Sequence, residues 1–207
     1  MPSTRALKKP IGMMPMVAVM GVDGSGKSTL VERIESKLIP YGIKGVLVLS
    51  RINTSSQPSD VILNHDKPPR PLIISIAKIA VKVIEWYWQY YRFSNLRPKG
   101  YLIILDRFYF LDVLVDPLKY RYSGPLWIVN TVAKKVPKPN LYILLDVPEH
   151  VVLSRKQEVQ VEEISRQRNA FLNLFRTLPN GYIIDASNSI DKVVEDVVEI
   201  ISKNISY

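Results

Sequence analysis

Cysteine is absent from the chain, which excludes a disulfide framework and all thiolate chemistry. Histidine is scarce: His65 and His150 stand alone, without the spacing of metal ligands, so any metal is expected on oxygen donors. Acidic residues are few. The 19 Asp and Glu against 28 Lys and Arg leave a formal charge of +9, which suits nucleotides, nucleic acid and anionic lipid alike and does not choose among them. An uninterrupted membrane span is missing as well. Residues 71–93 have the length, but Lys78, Lys82, Glu85 and Gln89 recur at steps of three and four, predicting a helix mostly buried in the protein with one polar stripe. Residues 1–14 carry Arg5, Lys8 and Lys9 with no long apolar stretch or small-residue cleavage site, and read as a flexible basic tail, not a signal peptide. A cytoplasmic location is the expectation.

What is present is an alternation of short apolar runs with helical periodicity. Runs at 16–20, 46–50, 101–105, 141–147 and 181–185 read as strands; 27–40, 71–93, 108–136 with a turn at 122–125, 149–158, 161–178 and 190–203 read as helices, the first stopped by Pro40. Strands apolar on both faces and alternating with helices predict an α/β three-layer sandwich around a five-stranded parallel sheet, one domain over residues 15–207. Ligands of such sheets sit at the carboxyl ends of the strands, where Gly21, Asp106, Asp146 and Asp185 fall.

The stretch Gly21-Val22-Asp23-Gly24-Ser25-Gly26-Lys27-Ser28 matches G-x-x-x-x-G-K-S at every position, between a strand and a helix. Its glycines let backbone N–H groups converge on phosphate oxygens. The following helix adds its positive end, Lys27 reaches the terminal phosphates, and Ser28 can ligate Mg²⁺. A second apolar strand ends at Asp106, placing a carboxylate near the same metal, and Arg107 follows directly. The loop therefore predicts a P-loop NTPase fold binding ATP with Mg²⁺. The GTPase base-reading tetrapeptide N-K-x-D is absent, which argues against a GTPase switch.

Taken in order, Gly21 through Thr29, then Asp106-Arg107-Phe108, then Leu144-Leu145-Asp146-Val147-Pro148 with Arg155 beyond it, and Ile184-Asp185-Ala186-Ser187 resemble the thymidylate kinase superfamily from about residue 16 to 200. The resemblance implies that Asp23 contacts the acceptor sugar and Arg107 the acceptor phosphate. It implies a helical lid at about 154–168, carrying Arg155 with Lys156, Arg166 and Arg168, and an adenine pocket bordered by Asp185, Ala186 and Ser187. It also implies that Tyr91 and Arg92 line the acceptor pocket, although aromatics on a buried helix are usually core, and that the protein is a homodimer. The chain departs from the family where Thr-Arg-Glu-Pro is replaced by a segment keeping only Arg51, and where Met20 stands for the usual Glu. The Ala-Tyr-Gln stretch is replaced by a longer one from Leu111 to Pro125, resembling a branch some of whose members act in cell-surface polysaccharide pathways.

Chemistry separates the acceptors. A nucleoside monophosphate is already an anionic nucleophile and needs cations, which Arg51, Arg92, Arg107 and Arg121 offer. An alcohol must lose a proton and needs a carboxylate, which Asp23, Asp112 and Asp116 offer. A helix through 112–120 would put Asp112 and Asp116 on one face. The expectation is phosphoryl transfer from ATP to dTMP or a related nucleoside monophosphate, with no nucleic acid partner. A kinase of a sugar-type alcohol and a nucleotide-gated binding protein stay open beside it.

Overall fold

The apolar runs form five strands, all paired in parallel, in a computed structural model that describes residues 15–49, 67–96, 99–155 and 161–205. In chain order the elements are β1 (Met16–Met20), α1 (Lys27–Leu38), β2 (Gly45–Leu49), α2 (Leu72–Ser94), β3 (Tyr101–Asp106), α3 (Tyr109–Val115), α4 (Leu126–Lys135), β4 (Leu141–Asp146), α5 (Glu149–Arg155), α6 (Val161–Thr177), β5 (Gly181–Asp185) and α7 (Ile190–Asn204). The sheet runs β2-β3-β1-β4-β5. Central β1 is buried at every residue because both faces of the sheet are covered. The register sets Val19 beside Asp106 and Asp146 beside Asp185, so the β1 loop and these carboxylates share one end of the sheet. No helix among the described residues is long and apolar enough to cross a membrane. The basic tail at 1–14 lies outside the described residues.

Helix α1 buries Leu30, Ile34 and Leu38 at steps of four and packs against α7. It stops two residues before Pro40, which sits inside a 3-10 turn (Ile39–Tyr41) closed by left-handed Gly42. The predicted helix over 108–136 divides earlier than expected, at Val115. Proline disfavours helical geometry in the residue before it, and Asp116, preceding Pro117, is non-helical at φ −138° and ψ 77°.

Helix α2 corrects the expectation of a mostly buried element. Most of its polar stripe faces inward: Gln89 is buried, as is Ser75, and Lys82 and Glu85 form a partly buried ion pair at 2.6 Å, while Lys78 stays exposed; Trp86 Nε1 donates to Pro137 O at 2.8 Å. Ile79 is buried, but much of the apolar surface is open, with Ile73 81%, Ile84 69%, Trp88 62% and Tyr91 64% exposed. The inward side chains meet polar groups of the 117–125 turn, since Ser75 shares a hydrogen bond with Ser123, and that fixes the helix's rotation.

Candidate active site

The loop after β1 begins at Gly21, where φ is 146° and a Cβ would lie 2.7 Å from Leu145 O and from Ser25 Oγ, so only glycine fits. Gly26, also left-handed, opens α1 and leaves Ser28 and Thr29 exposed on its first turn. Lys27 is buried and folds along the loop: its Nζ donates to Gly21 O at 3.0 Å, Val22 O at 2.7 Å and Ser25 Oγ at 3.3 Å. Burial first, and Arg107 second, lower its pKa to about 7 against the pull of Asp23, Asp106 and Asp112.

Arg107 occupies the left-handed region at φ 82°, a strained conformation for a side chain of its size. Surrounding bonds hold it there. Its backbone N–H donates to Val19 O at 3.0 Å, Nη1 donates to Gly21 O at 3.3 Å and to Asp112 Oδ2 at 3.4 Å, and Nη2 donates to Asp23 Oδ1. The second Asp23 oxygen accepts from Lys119 Nζ at 2.7 Å, and Tyr120 Oη donates to Asp112 Oδ2 at 2.8 Å. Burial pushes the Asp23 carboxyl up, but Arg107, Lys119 and Lys27 together hold it well below the usual carboxylate range. Burial works against the Arg107 charge too, and Asp112 and Asp23 overcome it, raising its pKa.

Asp106 Oδ1 is buried and accepts no hydrogen bond among the described residues. A buried, unsatisfied carboxylate oxygen at the same end of the sheet as the loop that leads to exposed Ser28 fits a hard cation that takes one or two protein oxygens and completes its shell with phosphate and water. A full protein cage is not needed, and no cluster of three or more acidic or His ligands occurs among the described residues.

The paired-carboxylate expectation is corrected by the break at Asp116. Asp112 turns to Arg107 and Tyr120, whereas Asp116 turns to α6: its Oδ1 accepts from Lys119 N at 3.1 Å and pairs with Arg166 Nη2 at 2.9 Å, and its Oδ2 accepts from Gln167 Nε2 at 2.9 Å. Asp116 therefore ties the 117–125 turn to the helix carrying Arg166 and Arg168. Arg168 is bidentate on Asp146, at 2.6 and 2.9 Å. Asp185 caps its own turn by accepting from Ser187 N at 2.9 Å and Ser187 Oγ at 2.5 Å, which lowers its pKa, and buried Ala186 donates its N–H to Asp146 O.

Tyr91 and Arg92 stand on the exposed side of α2, with the Arg92 guanidinium over the Trp88 ring at 5.2 Å, and neither joins the Asp23 and Arg107 network. Arg121, left-handed at φ 52°, donates from Nε to Pro68 O at 2.9 Å and is likewise outside that network. Arg51 and Lys156 lie outside the described residues, as does the side chain of Arg155, whose backbone ends α5. Sequence reasoning missed Lys119 and Tyr120. The signal available for them was Pro117, which ends α3 and sends the chain back over the loop.

Three comparisons bear on this geometry. The thymidylate kinase family model matches residues 19–197. Among curated relatives, probable thymidylate kinase 1 of Saccharolobus solfataricus is 30% identical across 93% of this chain and 100% of its own length. A probable thymidylate kinase of Caldivirga maquilingensis is also 30% identical, across 91% of this chain and 94% of its own length. Among solved structures, the thymidylate kinase of Candida albicans is similar with a TM-score of 0.65 at 20% identity, over 93% of this chain and 92% of that one.

Proposed function

Because the chain belongs to the thymidylate kinase family, we propose that it transfers the γ-phosphoryl group of ATP to dTMP or a closely related nucleoside monophosphate. The observation that carries this reading is the ion pair between Arg107 and Asp23. It puts the acceptor's cation one side chain away from the loop that cradles the donor's phosphates.

Backbone N–H groups of residues 24–27 and the Lys27 ammonium hold the β- and γ-phosphates, and Arg107 takes the acceptor phosphate. That phosphate supplies an anionic oxygen as nucleophile, so no general base is required. Asp112 then serves as counter-ion to Arg107, and Asp116 as a tie to α6. Ser28 and Asp106 would hold Mg²⁺, which when bound neutralises charge on the donor phosphates. Arg155 closes from the lid at about 154–168 and faces the transferred group, and Asp185, Ala186 and Ser187 border the adenine. The chain's work is positioning and electrostatics. An alcohol acceptor is the second reading, favoured by one observation: buried Asp112 Oδ1 accepts no hydrogen bond among the described residues and could serve as the base.

The test is ADP release from ATP and Mg²⁺ with dTMP, other nucleoside monophosphates, sugars and polyols in turn. Strong stimulation by dTMP is expected. Stimulation by a polyol and by no monophosphate would overturn the reading and make Asp112 the base.

The proposal includes a homodimer built on the open face of α2. Ile73, Ile84, Trp88 and Tyr91 lie eleven, four and three residues apart, which keeps them on one side of a 23-residue helix. A contiguous apolar stripe of that length calls for a cover, and a two-fold axis lets the same stripe of a second copy supply it. Analytical ultracentrifugation should show a dimer for the wild type and a monomer for Ile84→Asp combined with Trp88→Asp. A wild type sedimenting as a monomer would refute it.

A further inference from the structure

Lys119 is 7% exposed, an unusual setting for a lysine, and it reaches Asp23 from a position 96 residues away. Its placement is built rather than incidental. Pro117 ends α3, Asp116 Oδ1 accepts the Lys119 N–H, Arg121 N donates to Leu118 O at 2.8 Å, Tyr122 N donates to Pro117 O at 2.8 Å, and Asp116 is itself gripped by Gln167 and Arg166 of α6. That bracing fixes the backbone from which the ammonium extends to the phosphate loop.

At the loop, one carboxylate lies between two cations: Asp23 Oδ1 faces Arg107 Nη2 and Asp23 Oδ2 faces Lys119 Nζ. Burial and Arg107 both lower the Lys119 pKa, so this cation is held at a cost that Asp23, with Asp112 behind it, only partly repays. A buried turn that served only stability would be served as well by an apolar side chain of similar length. Two converging cations on either side of a partly exposed carboxylate form a receptor for a second anion whose oxygens are spaced like those of a carboxylate, which a phosphate monoester has.

We infer that Lys119 is a second cation for the acceptor phosphate, acting with Arg107 across Asp23, whose side chain is 39% exposed. This rests on the nucleoside monophosphate reading above. Lys119 thereby becomes a specificity residue that favours the monophosphate over the unphosphorylated nucleoside, with Asp116 as its positioning residue.

The test compares full-length wild type with Lys119→Met, which keeps the aliphatic stem, and Lys119→Arg, which keeps the charge. Steady-state assays should show a dTMP KM raised on the order of 10- to 100-fold in Lys119→Met, with the ATP KM within about twofold and partial rescue in Lys119→Arg. Calorimetry with dTMP and thymidine separates direct contact from mere support of Asp23. Direct contact weakens dTMP and leaves thymidine unchanged, so the preference for the phosphorylated ligand shrinks by the same factor. Equal weakening of both ligands, or an unchanged dTMP KM in a correctly folded Lys119→Met protein, overturns the inference. Absence of acceptor-dependent ADP release in the wild type is a different result, which overturns the nucleoside monophosphate reading and this inference with it.

Discussion

Changing Lys27 to alanine is expected to cut kcat about a thousandfold while leaving the fold in place, because it removes a preorganised charge facing the phosphoryl group in transfer. Stability should hold because the ammonium is buried at a cost: its pKa falls from the ordinary lysine range to about 7. The sign follows from proton counts. Between about pH 7 and the unfolded lysine's pKa, the unfolded chain binds more protons than the folded one at this site, so stability rises with pH across that window. The contribution is most unfavourable below pH 7, where both states carry the charge. Lys27→Ala should lose this component of the pH dependence and melt no lower than wild type at pH 6. Phosphates arriving beside Lys27 restore its proton, so ATP binding near pH 7.5 should take up a proton fraction, read by calorimetry in buffers of different ionisation enthalpy. A variant that turned over ATP at the wild-type rate would sink the assignment of the loop.

Arg107→Ala should have the second large effect, and on two axes. The acceptor KM should rise by about two orders of magnitude or more, since Arg107 is the cation proposed to take the acceptor phosphate beside the loop. Stability should fall by about 3 kcal/mol, because Asp112 would keep its buried charge with one partner fewer. The left-handed backbone at this residue gives an internal control. Glycine carries no strain at φ 82°, so Arg107→Gly should be as inactive as Arg107→Ala yet more stable by about 1 kcal/mol in urea unfolding. If the two unfold identically, strain is not stored there. If dTMP KM stays at its wild-type value in both, Arg107 does not bind the acceptor.

Particular residues mark how far the sequence could be read. The phosphate loop was legible in full because its chemistry is local: glycines at fixed offsets, one lysine and the start of a helix depend only on their immediate neighbours. Asp106 was legible because an apolar run ending in a carboxylate reads as a buried strand whose carboxyl end emerges from the core, where ligands of parallel sheets bind. The break at Asp116 was also within reach, since Pro117 disfavours helical geometry just before it. Lys119 was not: Pro117 signals that the chain turns there, but nothing local reveals that the ammonium bonds a carboxylate 96 residues away.

The α/β order, the phosphate loop and the end of the sheet at which the site lies follow from the residues alone, because periodicity and turn chemistry act over a few residues. Which face of α2 turns inward and which cations share Asp23 follow from packing between distant elements. Helical periodicity states that a stripe exists without stating what it meets, and the partners of Asp23 are 84 and 96 residues away. Contacts of that span depend on how whole elements pack, and the buried bond of Asp116 to α6 is what brings Lys119 to the loop.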